Sequence, residues 1–409
     1  MSQKRRFDTV IIGGGQAGLA MSLVLQDVGR EHIVLERARV AERWRSERWD
    51  ALRFQFPNWT VELPGMRYSG GEPDGFAGAS DIVLLLEQYA ESNGAPVVEG
   101  CEVTGLQRDP STEDLVLTTS SGKLTAANVV VATGPFQRPA VPPLSQQLPA
   151  HILQLDPTRY RRPGDLPPGA VLVVGSGASG AQIADDLLRA GRTVYLSVSG
   201  HRRMPRRFRG RDVYWWLEKL GRFALTVDDL PRGRRPPGLL VTGVDGGHDL
   251  TVYRLAAEGA VLAGHLIGSS DGRAGFANDM AQTLRDADRA YLDFLAAARA
   301  AASGLEVELA PDEATPPSEQ PVEGLRSLDL GRARVTTVIW ATGYEYAYDW
   351  LHLPVLDERG SPVQRRGVTS ERGLYFLGLH WMHTLRSGLL MGVGEDARFL
   401  GRQIEGASA

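Results

Sequence analysis

The sequence predicts an α/β protein of two domains, and three observations carry that prediction. The stretch TVIIGGGQAGLAMSLVLQDVGREHIVLE (Thr9–Glu36) is an apolar β-branched run, a Gly-x-Gly-x-x-Gly turn, a helix-compatible segment and a second apolar run. The stretch AVLVVGSGASGAQIADDLLRAGRTVYLSVSGHRR (Ala170–Arg203) repeats that order. At 409 residues the chain is too long for one ordinary core and suits two domains of roughly 150–200 residues each.

Taken in order, Phe7–Ile12 is continuous and β-branched, as expected of a strand in a parallel sheet covered on both faces. Gly18–Gly29 predicts a helix closed by Gly29, and His32–Leu35 the next strand. Arg43–Gly65 is rich in Trp and Arg without clear periodicity and predicts a long loop lying over something. Asp81–Glu91 is helical, and Val97–Gln107, Leu115–Thr119 and Lys123–Thr125 form an antiparallel meander leading to the strand NVVVATG. The connector PFQRPAVPPLSQQLP is stiff and extended, so the first domain boundary falls there. Beyond Ala170 come an aromatic segment, VYWWLEKLGRF, and a Gly/Pro/Arg-rich stretch, PRGRRPPG. Strands are expected near Leu250–Tyr253 and Val261–Ile267, and an alanine-rich helix over Asn278–Ser303. Ala310–Gly324 is a surface loop by composition. RVTTVIWATGY then repeats the theme of NVVVATG, followed by a short strand, GLYFLGL, and a final helix from about Gly388 to Glu405.

Both glycine turns have a physical reading. In the first, Gly13 permits the tight turn, Gly15 lets the backbone approach a pyrophosphate, and Gly18 lets helix and strand pack closely. The helix N-terminus offers N–H groups and partial positive charge to the phosphates. Glu36, 18 residues after Gly18, ends the second strand, where a carboxylate accepts hydrogen bonds from a ribose diol. Gly175, Gly177 and Gly180 recur in the same frame, but Val198 stands where that acid would be, followed by SGHRR. Ser199, Arg202 and Arg203 can receive a 2′-phosphate, which a carboxylate would repel. The first site is therefore assigned to FAD and the second to NADPH. The tail GLYFLGLHWMHTLRSGLLMGVGED supports this, with backbone N–H groups around Gly388, Leu389 and Leu390 facing a reduced flavin's pyrimidine ring. The ATG turns, Ala132–Gly134 and Ala341–Gly343, are the expected crossings between domains. The fold is thus two Rossmann-like dinucleotide-binding domains, the second inserted in the first. Residues 1–143 and 344–409 form the FAD domain and residues 144–343 the NADPH domain, which carries a helical and loop insertion.

Composition narrows the function. A net charge of -4 gives no reason to expect nucleic acid as a partner. No run approaches ~18 apolar residues, so no membrane span is expected, and the chain reads as cytoplasmic. Cys101 is the one cysteine, which excludes dithiol–disulfide reductases that need a redox-active pair. Neither a Ser-His-Asp set nor metal-ligand spacing is evident.

With VVGSGASGAQIADDL as its second site and HTLRSGLLMGVGED in its tail, the chain resembles the class B flavin monooxygenases, the flavin-containing monooxygenase group. The resemblance covers most of the chain and is weakest across Arg232–Ser327. It implies that NADPH reduces FAD, that the flavin takes up O2 as a C4a-hydroperoxide, and that a small molecule is then oxygenated. RWDALRFQFPNWTVELPG resembles the family's flavin-covering segment and implies a catalytic Asn58 at the flavin, with Trp49 and Trp59 as walls. The family fingerprint F-x-G-x-x-x-H-x-x-x-Y is degenerate here: aligned on Tyr160, it puts Asp156 at the histidine, Ile152 at the glycine and Ala150 at the phenylalanine. This favours oxygenation at nitrogen or sulfur over Baeyer–Villiger chemistry. The alternatives are a two-electron NADPH-dependent flavin reductase without oxygen insertion, and a nucleotide-binding redox sensor. Trp215 and Trp216 are candidates for the substrate's access path, and His380 and His383 read as structural. The partners expected are a small-molecule substrate and O2; the sequence leaves the oligomeric state open.

Overall fold

The computed structural model describes residues 5–230, 238–314 and 323–406. Its first sheet holds seven strands. The path runs Val97–Val98, β2 (His32–Leu35), β1 (Arg5–Ile12), Gly122–Val131, Leu115–Thr119 and Val103–Arg108. β1 is parallel to β2 in the register Thr9↔His32 and to Gly122–Val131 in the register Val10↔Val129. The meander closes antiparallel, from Leu115↔Ala126 to Thr119↔Gly122. Leu374–Phe376 then joins the same edge of Gly122–Val131 in parallel, Leu374 against Val129. This last strand returns from beyond the second sheet, so the second sheet is inserted in the first.

That second sheet has five parallel strands in the order Leu153–Leu155, Val335–Trp340, Ala170–Val174, Val194–Ser197 and Val261–Ala263. Val171, Leu172 and Val173 are fully buried, as a doubly covered parallel strand requires.

Helix α1 (Gln16–Asp27) follows the first turn, buries Leu19, Met21 and Leu25, and stops before Gly29, whose φ of 67° is left-handed. Helices α2 (Glu42–Ser46) and α3 (Ala79–Ser92) flank the segment expected as a loop, which also holds a 3₁₀ turn at Asn58–Thr60. α4 (Ala178–Arg189) is the helix of the second unit. α5 (Val213–Lys219), α6 (Val252–Ala257) and α7 (Met280–Ala302) form the insertion, and α8 (Val393–Gly406) ends the description.

Four expectations are corrected. Leu250–Tyr253 is not a strand: the Thr251 hydroxyl accepts from Arg254 N at 3.0 Å and starts α6. Val261–Ile267 divides between two sheets. Gly264 passes so close to Ala277 that a Cβ would sit 2.1 Å from its carbonyl, and Leu266–Ser270 pairs antiparallel with Arg273–Phe276. Lys123–Thr125 and Asn128–Gly134 are parts of one strand, Gly122–Val131. The final helix begins at Val393, five residues after Gly388, because Leu389 N bonds back to Arg386 O in a turn. PRGRRPPG and the middle of Ala310–Gly324 lie largely outside the described residues.

His32 shows how closely this sheet is packed. Its Nδ1 donates to Arg30 O at 3.0 Å, and its Nε2 shares a hydrogen bond of 2.8 Å with the Ser22 hydroxyl. Burial pushes its pKa below the usual 6.5, against smaller raising effects of the Arg30 carbonyl and Asp8. A lowered histidine pKa means stability that is present above the unfolded value and lost as the pH falls below it. The urea midpoint is therefore expected to drop between about pH 7.5 and about pH 5.5. His32→Gln should drop less over the same interval; an equal drop in both proteins would show that His32 has no part in it.

Candidate functional site

The two turns superimpose bond for bond. Gly13 N donates to Leu35 O at 2.8 Å, and Gly175 N to Ser197 O at 3.0 Å. Ala132 N donates to Ile12 O and Ala341 N to Val174 O, both at 2.8 Å, which fixes each ATG turn beside its glycine turn. Gly13 and Gly175 have φ of 116° and 103°, and a Cβ on either would lie 2.6 or 2.4 Å from the carbonyl of Ala132 or Ala341. At Gly18 and Gly180 a Cβ would stand 1.9 Å from the carbonyl of Gly13 or Gly175, so only glycine lets helix and turn approach this closely. Gly15 and Gly177 differ in kind. A Cβ on either meets no atom within 4 Å, which leaves the helix N-terminus open to a pyrophosphate. Both cradles fit a dinucleotide.

The strand ends differ as the sequence indicates. Glu36 Oε2 accepts from Gly14 N at 2.7 Å and Oε1 from Ala38 N at 2.9 Å, so the carboxylate is held at the rim of the first turn. In the second unit the Ser199 hydroxyl takes the equivalent place, accepting from Ser176 N at 3.3 Å.

One cavity of about 1290 Å³ joins the two turns, although Ser199 is not on its wall. It takes in Gly13, Gly15 and Glu36, passes Gly134 and Gly343, reaches Gly177 and Ser179, and borders Gly388, Leu389 and Leu390. The tail is tied to the first turn: Gln16 Nε2 donates to Gly388 O at 2.9 Å, and a Cβ on Gly378 would lie 2.5 Å from that of Ala17. Of the three tail amides expected to face the flavin, the Leu389 N–H is already bonded to Arg386 O. Trp49 and His380 also line the cavity.

Other expectations are corrected. Arg203 does not face the cavity: its Nη1 meets Asp288 at 2.7 Å, and its guanidinium stacks 4.3 Å from the Tyr291 ring centre. Arg202 alone of that pair lines the cavity. Asn58 is not on the wall either. Its Nδ2 donates to Glu72 O at 2.9 Å, which turns the side chain into the 68–75 loop. Trp59 and Trp215 pack instead against the cluster of Met204, Phe208 and Trp216, and Trp216 is fully buried with its Nε1 donating to Phe208 O. The Asp156 carboxylate caps its own turn through Thr158 N at 2.8 Å.

Sequence reasoning missed other wall residues. Arg48 lies 5.4 Å from the Trp44 ring centre and 5.8 Å from that of Phe136, and burial holds its pKa below the usual arginine range. Arg222, Tyr214 and Phe294 border the end of the cavity formed by α5 and α7. Only the aromatic bias of VYWWLEKLGRF pointed to that end.

A family profile described as pyridine nucleotide-disulphide oxidoreductase matches residues 10–218, across both glycine turns. The chain belongs to that family. This oxidoreductase is 34% identical over 404 residues to a CzcO-like oxidoreductase of Geobacillus kaustophilus, covering 96% of this chain and 97% of the relative. Indole-3-pyruvate monooxygenase YUCCA1 of Oryza sativa subsp. japonica is 29% identical over 184 residues, 44% of this chain and 45% of its own. A mutant of the flavin monooxygenase from Stenotrophomonas maltophilia shares the fold with a TM-score of 0.69 at 18% identity, over 99% of this chain and 100% of that one. The solved flavin monooxygenases share this fold, which accords with the resemblance to the class B group, and the two cradles fit two dinucleotides. Among the described residues no helix is long and apolar enough to cross a membrane.

Proposed function

We propose that this oxidoreductase is an NADPH- and O2-dependent flavin monooxygenase of a small molecule. The shared cavity carries the reading: both nucleotide cradles open into it, and it continues into a largely apolar chamber bordered by α5 and α7. A relay handing electrons to a bulky acceptor has no use for such a chamber, whereas a small substrate needs one. When bound, FAD supplies the redox chemistry, accepting hydride and activating O2.

The chain's own residues bind and orient. Gly13, Gly15, Gly18 and Glu36 would hold FAD, with the turn at Gly388, Leu389 and Leu390 lining the same cavity to meet its flavin. Gly175, Gly177, Gly180, Ser199 and Arg202 would hold NADPH, with no carboxylate at the strand end to repel a 2′-phosphate. Residues 1–143 and 344–409 make up the FAD domain and residues 144–343 the NADPH domain. With Asp156 in the histidine's place and engaged in its own turn, nitrogen or sulfur is favoured over carbonyl oxygenation.

Incubation with NADPH, 18O2 and candidate amines, thioethers and ketones tests the reading. One labelled oxygen per product molecule is expected. Consumption of NADPH with release of hydrogen peroxide and no labelled product, across the whole panel, would point to the two-electron reductase.

A further inference from the structure

Tyr214 of α5 is only 4% exposed, and what it exposes opens into the cavity. Its backbone N–H donates to Asp212 Oδ1 at 2.9 Å, and its ring stacks on that of Phe56 with centres 4.2 Å apart. Its phenol oxygen makes no hydrogen bond with the described residues, and it is not sealed in protein. The polar groups around it are all engaged. Arg206 Nε donates to Asp212 at 2.9 Å, the Trp216 indole to Phe208 O at 2.7 Å, and Gln55 Nε2 to Leu239 O at 2.8 Å. A tyrosine buried this deeply normally finds a partner for its hydroxyl. A ligand that fills the space beside it must therefore offer the hydroxyl a bond in place of water's.

The surroundings say what else that ligand carries. Tyr214 packs in one cluster with Met204, Leu217, Phe223 and Phe294, and all four also line the cavity. Leu385, three residues before Gly388, packs against the same cluster and lines the cavity too, so the chamber adjoins the tail turn. Burial pushes the phenol above its usual pKa, against the opposing charge of Arg206, which keeps it a neutral hydrogen-bond donor.

We propose that the Tyr214 hydroxyl donates a hydrogen bond to a neutral acceptor atom of the substrate, the apolar chamber holding the rest of it. The substrate class is then an uncharged, mostly apolar molecule with an acceptor directed toward α5. The proposal rests on the monooxygenase reading for what is done to that molecule, but not for its binding.

The test reads binding to the oxidised holoprotein, through the flavin's visible spectrum, with quinoline and naphthalene as probes at mildly alkaline pH. The two have nearly the same shape, and only quinoline carries an acceptor nitrogen. Tyr214→Phe removes one oxygen that bonds to no described residue, so the chamber keeps its walls. Quinoline is expected to bind the variant about fivefold more weakly than wild type, the worth of one neutral hydrogen bond, and naphthalene within about twofold. Equal changes for the two probes overturn the proposal, as does a wild type that binds no quinoline. Slower reduction of the flavin by NADPH in the variant, with quinoline binding unchanged, would also overturn it, assigning the phenol to the nicotinamide. Failure of oxygen insertion alone would sink the monooxygenase reading and leave this site standing.

Discussion

Gly177→Val is expected to give a folded, yellow protein whose flavin NADPH no longer reduces. Gly177 caps α4 with φ of -68° and ψ of -179°, extended backbone that valine adopts without strain. A Cβ added there meets no protein atom within 4 Å, so the fold should lose no more than about 1 kcal/mol from the poorer cap. The valine carbons fill the space through which the helix N-terminus reaches a pyrophosphate. The rate of flavin reduction at sub-saturating NADPH should fall by about two orders of magnitude or more. Dithionite should still bleach the flavin at the wild-type rate. Stopped-flow absorbance distinguishes the two, and normal reduction by NADPH would show that the second turn does not hold the nucleotide.

Gly15→Val is the matching change in the first unit, with the opposite visible outcome. Gly15 also has extended backbone, φ -90° and ψ -174°, and open space at its Cβ. The variant should purify colourless, with FAD content near zero after desalting, yet with far-UV circular dichroism close to that of wild type. Its thermal midpoint should be lower, because a ligand held at about a thousand times its Kd contributes about 4 kcal/mol that the variant lacks. Gly18→Ala provides the contrast. There the Cβ would stand 1.9 Å from Gly13 O, so the fold itself should suffer rather than one ligand. A yellow Gly15→Val protein would contradict the placement of FAD.

The contrast between these glycines shows what was legible in the sequence. Each turn is local: strand, three glycines and helix lie within a short stretch, and backbone contacts alone dictate which residue fits. The spacing therefore located Gly13, Gly15, Gly18 and their counterparts, and the tail strand Leu374–Phe376 confirmed the insertion by returning to the first sheet. Side-chain direction in loops was not legible. Arg202 and Arg203 are adjacent and chemically identical, but Asp288, on a helix 85 residues further on, draws one of them away. Asn58 follows the same logic, because Glu72 O takes its amide before any ligand can. α6 was missed because VYRLAA, short and partly β-branched, is decided by the Thr251 cap rather than by periodicity.

Anaerobic titration of the purified yellow protein with NADPH tests the central claim most directly. Loss of the oxidised flavin spectrum after about one equivalent is the result expected if both cradles present their ligands to each other in one cavity. A protein that stays yellow with excess NADPH, although dithionite bleaches it, would show that the two sites do not work together.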